Sequence, residues 1–235
     1  MAARKSPNRV LLEEMARQIA PLLPELVFVG GHVTELLVTD PAATRPRVTD
    51  DVDVIVAVTT RSQYHALGER LRDLQLRNDT SEGAPICRWR TVDGMRLDVM
   101  PIAGVVLGFS NAWYPRAIET AADHRLARDL TIRIATAPAF VATKWAAFAD
   151  RGQGDALSSH DFEDIITVVA GRPELPNELA AAPDDVRLFI SGATRDFLGS
   201  GLADYAVEGA LPDARLIPGG LREVMDRLAR IAALG

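Results

Sequence analysis

The first apolar pattern in the chain is helical. Leu11, Met15, Ile19 and Leu22 recur at helical spacing behind Ser6-Pro7, a helix-starting pair, which predicts an amphipathic helix running to about Leu23. A wholly apolar run, LVFV at 26–29, then meets Gly30-Gly31, and HVTELLV beyond the glycines has helical character. A loop rich in Pro and Thr follows at 40–49. DDVDVIVAV at 50–58 alternates as a strand, with Asp51 and Asp53 on one face and Val52, Val54, Val56 and Val58 on the other. QYHALGERLRDLQL at 63–76 reads as a helix. ICRWRTV and MRLDVMP read as strands joined at Asp93-Gly94, a favoured hairpin pair, which puts Asp98 on a strand able to neighbour that of Asp51.

Residues 101–128 begin with the apolar segment PIAGVVLGF and continue as a mostly helical stretch without clear boundaries. LTIRIAT at 130–136 alternates as a strand, and Pro138 opens a helix, AFVATKWAAFADR. A flexible GQGDA segment follows, and Ser158 with Asp161 forms a capping-box-like start to HDFEDIITVVA. Pro173 and Pro176 mark a boundary, after which helical patterns alternate with Gly/Pro turns as far as PGGLREVMDRLARIAAL. The pattern describes an α/β N-terminal half and an all-helical C-terminal half, with no internal repeat.

Composition narrows the class. At 48% hydrophobic and 25% charged, the 235 residues exclude a disordered, collagen-like or disulfide-scaffold chain. The length allows between one and two domains of roughly 150 residues. A single cysteine, Cys87, cannot form an intramolecular disulfide, and no run approaches the ~18 apolar residues of a membrane span. The basic start MAARKSPNRV has no apolar stretch and does not read as a signal peptide, so a cytoplasmic location and no membrane partner are expected. A net charge of -6 offers no global attraction for nucleic acid, leaving any polyanion to a local basic patch or to metal ions. Trp89, Trp113 and Trp145 are scattered and form no stacking platform.

The chemistry concentrates in Asp51, Asp53 and Asp98, which neighbouring strands can present toward one spot. Clustered carboxylates imply a divalent cation, and magnesium prefers such oxygen donors, with paired ions ~4 Å apart suited to phosphoryl displacement. Taken alone, an Asp-Val-Asp is more often a solvated strand start and a Gly-Gly more often a tight turn. A glycine turn before a helix does, however, let backbone N–H groups approach phosphate oxygens. His32 adjoins that turn, where a helix-start histidine is usually exposed. Arg45, Arg47, Arg61, Arg88, Arg90 and Arg96 fall near the carboxylates as candidates for a polyanion track, although most such arginines are simply solvated. Ser159, His160 and Asp161 are consecutive and cannot converge as a nucleophilic triad, and no histidine pair has zinc-site spacing.

A glycine pair after the first strand, a carboxylate pair on the next and a third carboxylate on a later strand together resemble the DNA polymerase β-type nucleotidyltransferase superfamily. Gly30-Gly31, Asp51-Val52-Asp53 and Asp98 carry that resemblance. The long loop before Asp51, with Arg47-Val48-Thr49, is similar to the AbiEii type, the abortive-infection and MenT-like toxins. Thr143, Lys144, Arg151, Asp161 and Asp164 match the downstream pattern of that branch, while His160 stands where its members carry arginine. The likeness spans residues 26–170 or so.

The resemblance implies an α+β fold: a mixed, mainly antiparallel sheet with flanking helices over 1–136 and a helical domain over 137–235. It implies a magnesium-dependent nucleotidyltransferase in which Asp51 and Asp53 bind two metal ions and Asp98 completes one of them and accepts the hydroxyl proton. Gly30, Gly31, Arg47, Thr49 and Lys144 would meet the NTP, and Asp161 would orient Lys144 or a nucleotide group. For Lys144 and Asp161 an interhelix ion pair is the structural alternative. The implied acceptor is a tRNA or a protein hydroxyl, with a separately encoded antitoxin as partner. A small-molecule acceptor of the aminoglycoside type, or a catalytically silent nucleotide-binding module, are the other readings.

Overall fold

The computed structural model describes residues 5–151, 155–211 and 220–235. The chain divides into two compact units: residues up to Glu35 with Arg47–Ala135, and Leu36–Pro46 with Thr136–Gly235.

In the first unit, α1 (Pro7–Gln18) starts at Ser6, whose hydroxyl accepts from the Arg9 N–H at 3.0 Å. It ends before the Leu23 expected from the spacing. Pro21 and Pro24 lack the N–H an α-helix needs, and Ala20–Glu25 tightens into a 3-10 turn. β1 (Leu26–Val29) is buried throughout and leads through Gly30, at φ 73°, into the short α2 (Gly31–Leu37). β2 (Asp51–Val56) is followed by α3 (Arg61–Asp73), which opens on a capping box between Thr60 and Gln63. Then come β3 (Arg77–Asn78), β4 (Arg88–Arg90) and β5 (Arg96–Pro101), the short helices α4 (Gly104–Leu107) and α5 (Tyr114–Glu119), and the pair β6 (Ala122–Ala127) and β7 (Leu130–Ile134). β6 replaces part of the stretch expected to be helical.

The seven strands form one sheet in the order β3-β4-β5-β2-β1-β7-β6. β1 runs parallel to β7 and β2 parallel to β5, and the other four pairs are antiparallel. The α+β architecture with a mixed, mainly antiparallel sheet is thus as expected. Val52, Val54, Leu97, Val99 and Trp89 are buried and form the core beneath β2, β4 and β5. Alternation then sends Asp51, Asp53, Asp98 and Arg88 to the opposite face.

The second unit is helical: α6 (Ala137–Arg151), α7 (His160–Gly171), α8 (Leu175–Ala180), α9 (Asp184–Leu198), α10 (Ala203–Ala210) and α11 (Gly220–Ala232). Trp145, Phe162 and Phe197 interlock in its core, with the Phe162 and Phe197 ring centroids 4.9 Å apart. α7 is capped by Ser159, whose hydroxyl accepts from the Phe162 N–H at 3.3 Å; Ser158, the expected cap, bonds Asp155 instead. The loop Leu36–Pro46 belongs to this unit because Thr39 and Asp40 donate to the Gly171 carbonyl, each at 2.9 Å, and Arg172 donates to the Leu37 carbonyl at 2.8 Å. A side chain at Gly171 would meet Val38 at 2.8 Å, so the glycine ending α7 admits the loop. Most of the GQGDA segment lies outside the described residues, as does the very start of the chain. No described helix is long and apolar enough to cross a membrane.

Candidate active site

Strand register assembles the carboxylates. β2 and β5 are parallel with Asp53 beside Asp98 and Asp51 beside Arg96, and antiparallel β4 places Arg88 beside Asp98 and Arg90 beside Arg96. Two rows therefore cross this face of the sheet: Arg88, Asp98, Asp53 and Arg90, Arg96, Asp51.

The glycine turn closes on the first row. A β-carbon on Gly30 would lie 1.9 Å from Asp53 Oδ2, so only glycine lets that carboxylate rest against the turn. A β-carbon on Gly31 would lie 3.1 Å from Thr49 Cγ2 and 3.2 Å from Arg47 Nη2. The Arg47–Thr49 segment is pinned by the buried Asn8 of α1, which donates to the Arg47 carbonyl at 2.8 Å and accepts from the Thr49 N–H at 3.1 Å. The Thr49 hydroxyl in turn donates to Asp51 Oδ1 at 3.1 Å. Gly30, Gly31, Arg47, Thr49, Asp51, Asp53 and Asp98 are thereby gathered around one end of β2.

Arg88 supplies the counter-charge. Its Nε and Nη2 donate to the two oxygens of Asp98, each at 2.8 Å, and Nη2 also donates to Asp51 Oδ2 at 2.6 Å. The hydrogen bonds to Asp98 hold this guanidinium even more firmly protonated than usual. Among the described residues no group of three acidic, histidine or cysteine side chains is already converged for a metal ion. The donor chemistry nevertheless fits magnesium: the groups are all carboxylate oxygens, and two of them already grip a cation, the Arg88 guanidinium. The sequence offers Arg88 only as one of several arginines near the site. The hairpin turn expected at Asp93-Gly94 would set it opposite Val99, one residue out of the observed register with Asp98.

Two further groups depart from expectation. His32 is 1% exposed, and neither ring nitrogen has a hydrogen-bond partner of ordinary geometry. Burial lowers its pKa to about 4 against an opposing pull from Asp51, so it is neutral at pH 7 and brings no charge to a phosphate. Of the six arginines weighed as a polyanion track, three are held by aspartates: besides Arg88, Arg90 pairs with Asp79 at 2.6 Å and Arg96 with Asp50 at 3.2 Å. Cys87 is buried beside the site, and burial, helped by the charges of Asp98 and Asp53, pushes its thiol up to about 12.

In the second unit Lys144 Nζ lies 3.0 Å from Asp161 Oδ1 and 2.6 Å from Asp164 Oδ2, and Arg151 reaches Asp161 at 2.9 Å. Asp161 and Asp164 share one face of α7 at (i, i+3) spacing, which lets one lysine of α6 hold both. Asp164 is 1% exposed, and its Oδ2 is held by charge rather than by an aligned hydrogen bond. The Thr143 hydroxyl donates within its own helix to the Phe140 carbonyl at 2.7 Å, and His160 is exposed beside Glu163.

No family model matches the chain, and no curated protein matches it. Among solved structures it is similar to an antigenic nucleotidyltransferase-like protein from Paracoccidioides brasiliensis, with 16% identity, TM-score 0.46, and coverage of 86% of this chain and 92% of that one. It is also similar to JHP933 from Helicobacter pylori, with 12% identity, TM-score 0.48, and coverage of 98% and 93%. At these values neither likeness transfers a residue role, and the site rests on its own geometry.

Proposed function

We propose that this chain is a magnesium-dependent nucleotidyltransferase that moves a nucleoside monophosphate from an NTP to an acceptor hydroxyl. The observation that carries the reading is the in-register pair Asp53 and Asp98, with Asp51 two residues away on the same face, closed from below by Gly30. Asp51, Asp53 and Asp98 would hold magnesium, which supplies neutralisation of the triphosphate and acidification of the attacking hydroxyl. Thr49 orients Asp51, and Gly30 makes room for Asp53. Asp98, 7% exposed, is the deepest of the three and the candidate proton acceptor. Arg47, beside Gly31, brings positive charge to the phosphates. In the transfer an acceptor oxygen bonds to the α-phosphorus as the bond to the bridging oxygen breaks, and pyrophosphate leaves with its electron pair. Lys144, gripped by two carboxylates, supports the ion-pair role in joining α6 to α7.

By resemblance to the toxin branch the first acceptor to test is RNA or protein, with an antitoxin as partner. The pairing of Arg88, Arg90 and Arg96 with aspartates favours a second reading, a small-molecule acceptor, because it ties up three of the six arginines a polyanion track would use. The test is label transfer from each α-labelled NTP with magnesium, offering small RNA, an aminoglycoside and the chain itself as acceptors. Wild type should label one class of acceptor, and the Asp51→Ala, Asp53→Ala double variant none, with unchanged circular dichroism. Equal labelling by that variant, or none by folded wild type on any acceptor, overturns the proposal.

A further inference from the structure

We propose that Arg88 is a built-in counter-cation of the carboxylate cluster, which must let go of Asp51 and Asp98 before a divalent cation can be held there. Cation loading and release of Arg88 are then one exchange. This inference rests on the metal-binding reading above.

All four carboxylate oxygens of Asp51 and Asp98 already accept a hydrogen bond: three come from Arg88, at 2.6–2.8 Å, and one from Thr49, at 3.1 Å. Magnesium contacts its oxygens at about 2.1 Å and tolerates little departure from octahedral geometry. A guanidinium on the same oxygens would sit a few ångströms from the ion, on side chains largely shielded from water, where like charges repel strongly. The Thr49 bond presents no such conflict, because the hydroxyl is neutral and each carboxylate oxygen has a second lone pair.

Deprotonation offers no route out, since arginine stays charged in proteins, so the fork must move. Without a divalent ion Arg88 keeps clustered acids from repelling one another. Once released it remains on β4, one strand from Asp98, with a planar fork suited to phosphate oxygens. The exchange therefore turns a counter-ion for the acids into a ligand for the nucleotide, and it ties firm cation binding to the presence of phosphate.

Manganese binding to the full chain tests this by calorimetry, without nucleotide, for wild type, Arg88→Met, Arg88→Lys and Asp98→Asn. Arg88→Met should bind Mn2+ about tenfold tighter than wild type or more, the equivalent of losing one charged hydrogen-bonded competitor. Arg88→Lys, which keeps the charge without the fork, should fall between, and it carries the comparison if Arg88→Met does not fold. In the absence of metal Arg88→Met should melt below wild type, and Mn2+ should narrow the gap. Equal or weaker binding by both Arg88 variants would overturn the exchange and make Arg88 a positioning residue for Asp98, with the metal reading intact. Wild-type affinity in Asp98→Asn would place the ion elsewhere and also overturn it. If neither wild type nor the Arg88 variants bind Mn2+ at millimolar concentration, the metal reading itself falls, and the exchange falls with it.

Discussion

Gly30→Ala puts the geometry of the site under direct strain. Gly30 has φ 73°, a left-handed conformation that costs an alanine about 1 kcal/mol. The added β-carbon would also lie 1.9 Å from Asp53 Oδ2, 2.6 Å from its Cγ and 2.8 Å from its Cβ. Rotating Asp53 relieves the first two contacts but not the third, because its Cβ is fixed by the backbone of β2, so turn or strand must shift. Such overpacking costs about 1–3 kcal/mol, and with the backbone component the loss is about 2–4 kcal/mol. Urea unfolding followed by far-ultraviolet circular dichroism measures it. In an Asp53→Gly background the steric part disappears and the cost should fall to about 1 kcal/mol, giving a double-mutant coupling of about 1–3 kcal/mol. Gly31→Ala, whose β-carbon would meet movable side-chain atoms at 3.1–3.2 Å, is the milder control. A Gly30→Ala cost below about 0.5 kcal/mol, or an equal cost with and without the Asp53 side chain, would refute the close approach of turn to carboxylate.

The other tests concern buried titratable groups near the site. His32 has a folded pKa of about 4 against 6.5, so below neutrality the unfolded chain takes up its proton first and stability falls with pH. Its contribution is fully present above the unfolded pKa and should drop by about 2.5 kcal/mol between about pH 7 and pH 4.5, relative to His32→Phe in urea unfolding. A pH dependence no steeper than that of the variant would show that His32 is not held neutral. Cys87, with its thiol pushed up to about 12, should resist a thiol reagent in the folded protein at about pH 8 and react once urea unfolds it; prompt labelling of the native chain would contradict its burial.

What was legible in the sequence is what periodicity governs. Alternation along β2 placed Asp51 and Asp53 on one face because the other face, carrying Val52 and Val54, is buried, and a strand cannot slip by one residue without reversing that. β6 was not legible: ADHRLA lies at the sheet edge, mostly outside the core, so it lacks the apolar alternation that marks a strand. His32 departs from its expected exposure for a related reason. A polar residue at a helix start reads as exposed unless the packing around it is known.

The arginines show where sequence reading loses its hold. A turn centred on Asp93-Gly94 would set Arg88 opposite Val99, a core residue, whereas the observed connection, closed by the Thr91 N–H on the Met95 carbonyl at 3.0 Å, sets it opposite Asp98. That single step of register decides whether Arg88 faces the core or the carboxylates, and with it whether the acids have a resident partner. Counting charges along the chain cannot decide it, since a phosphate track and a set of counter-ions have the same composition. Across the two rows on this face, Arg88 meets Asp98 directly, and Arg96 bonds Asp50 beside Asp51. The aspartates were visible because a strand repeats every second residue; their partners were not, because ion pairs between strands depend on register.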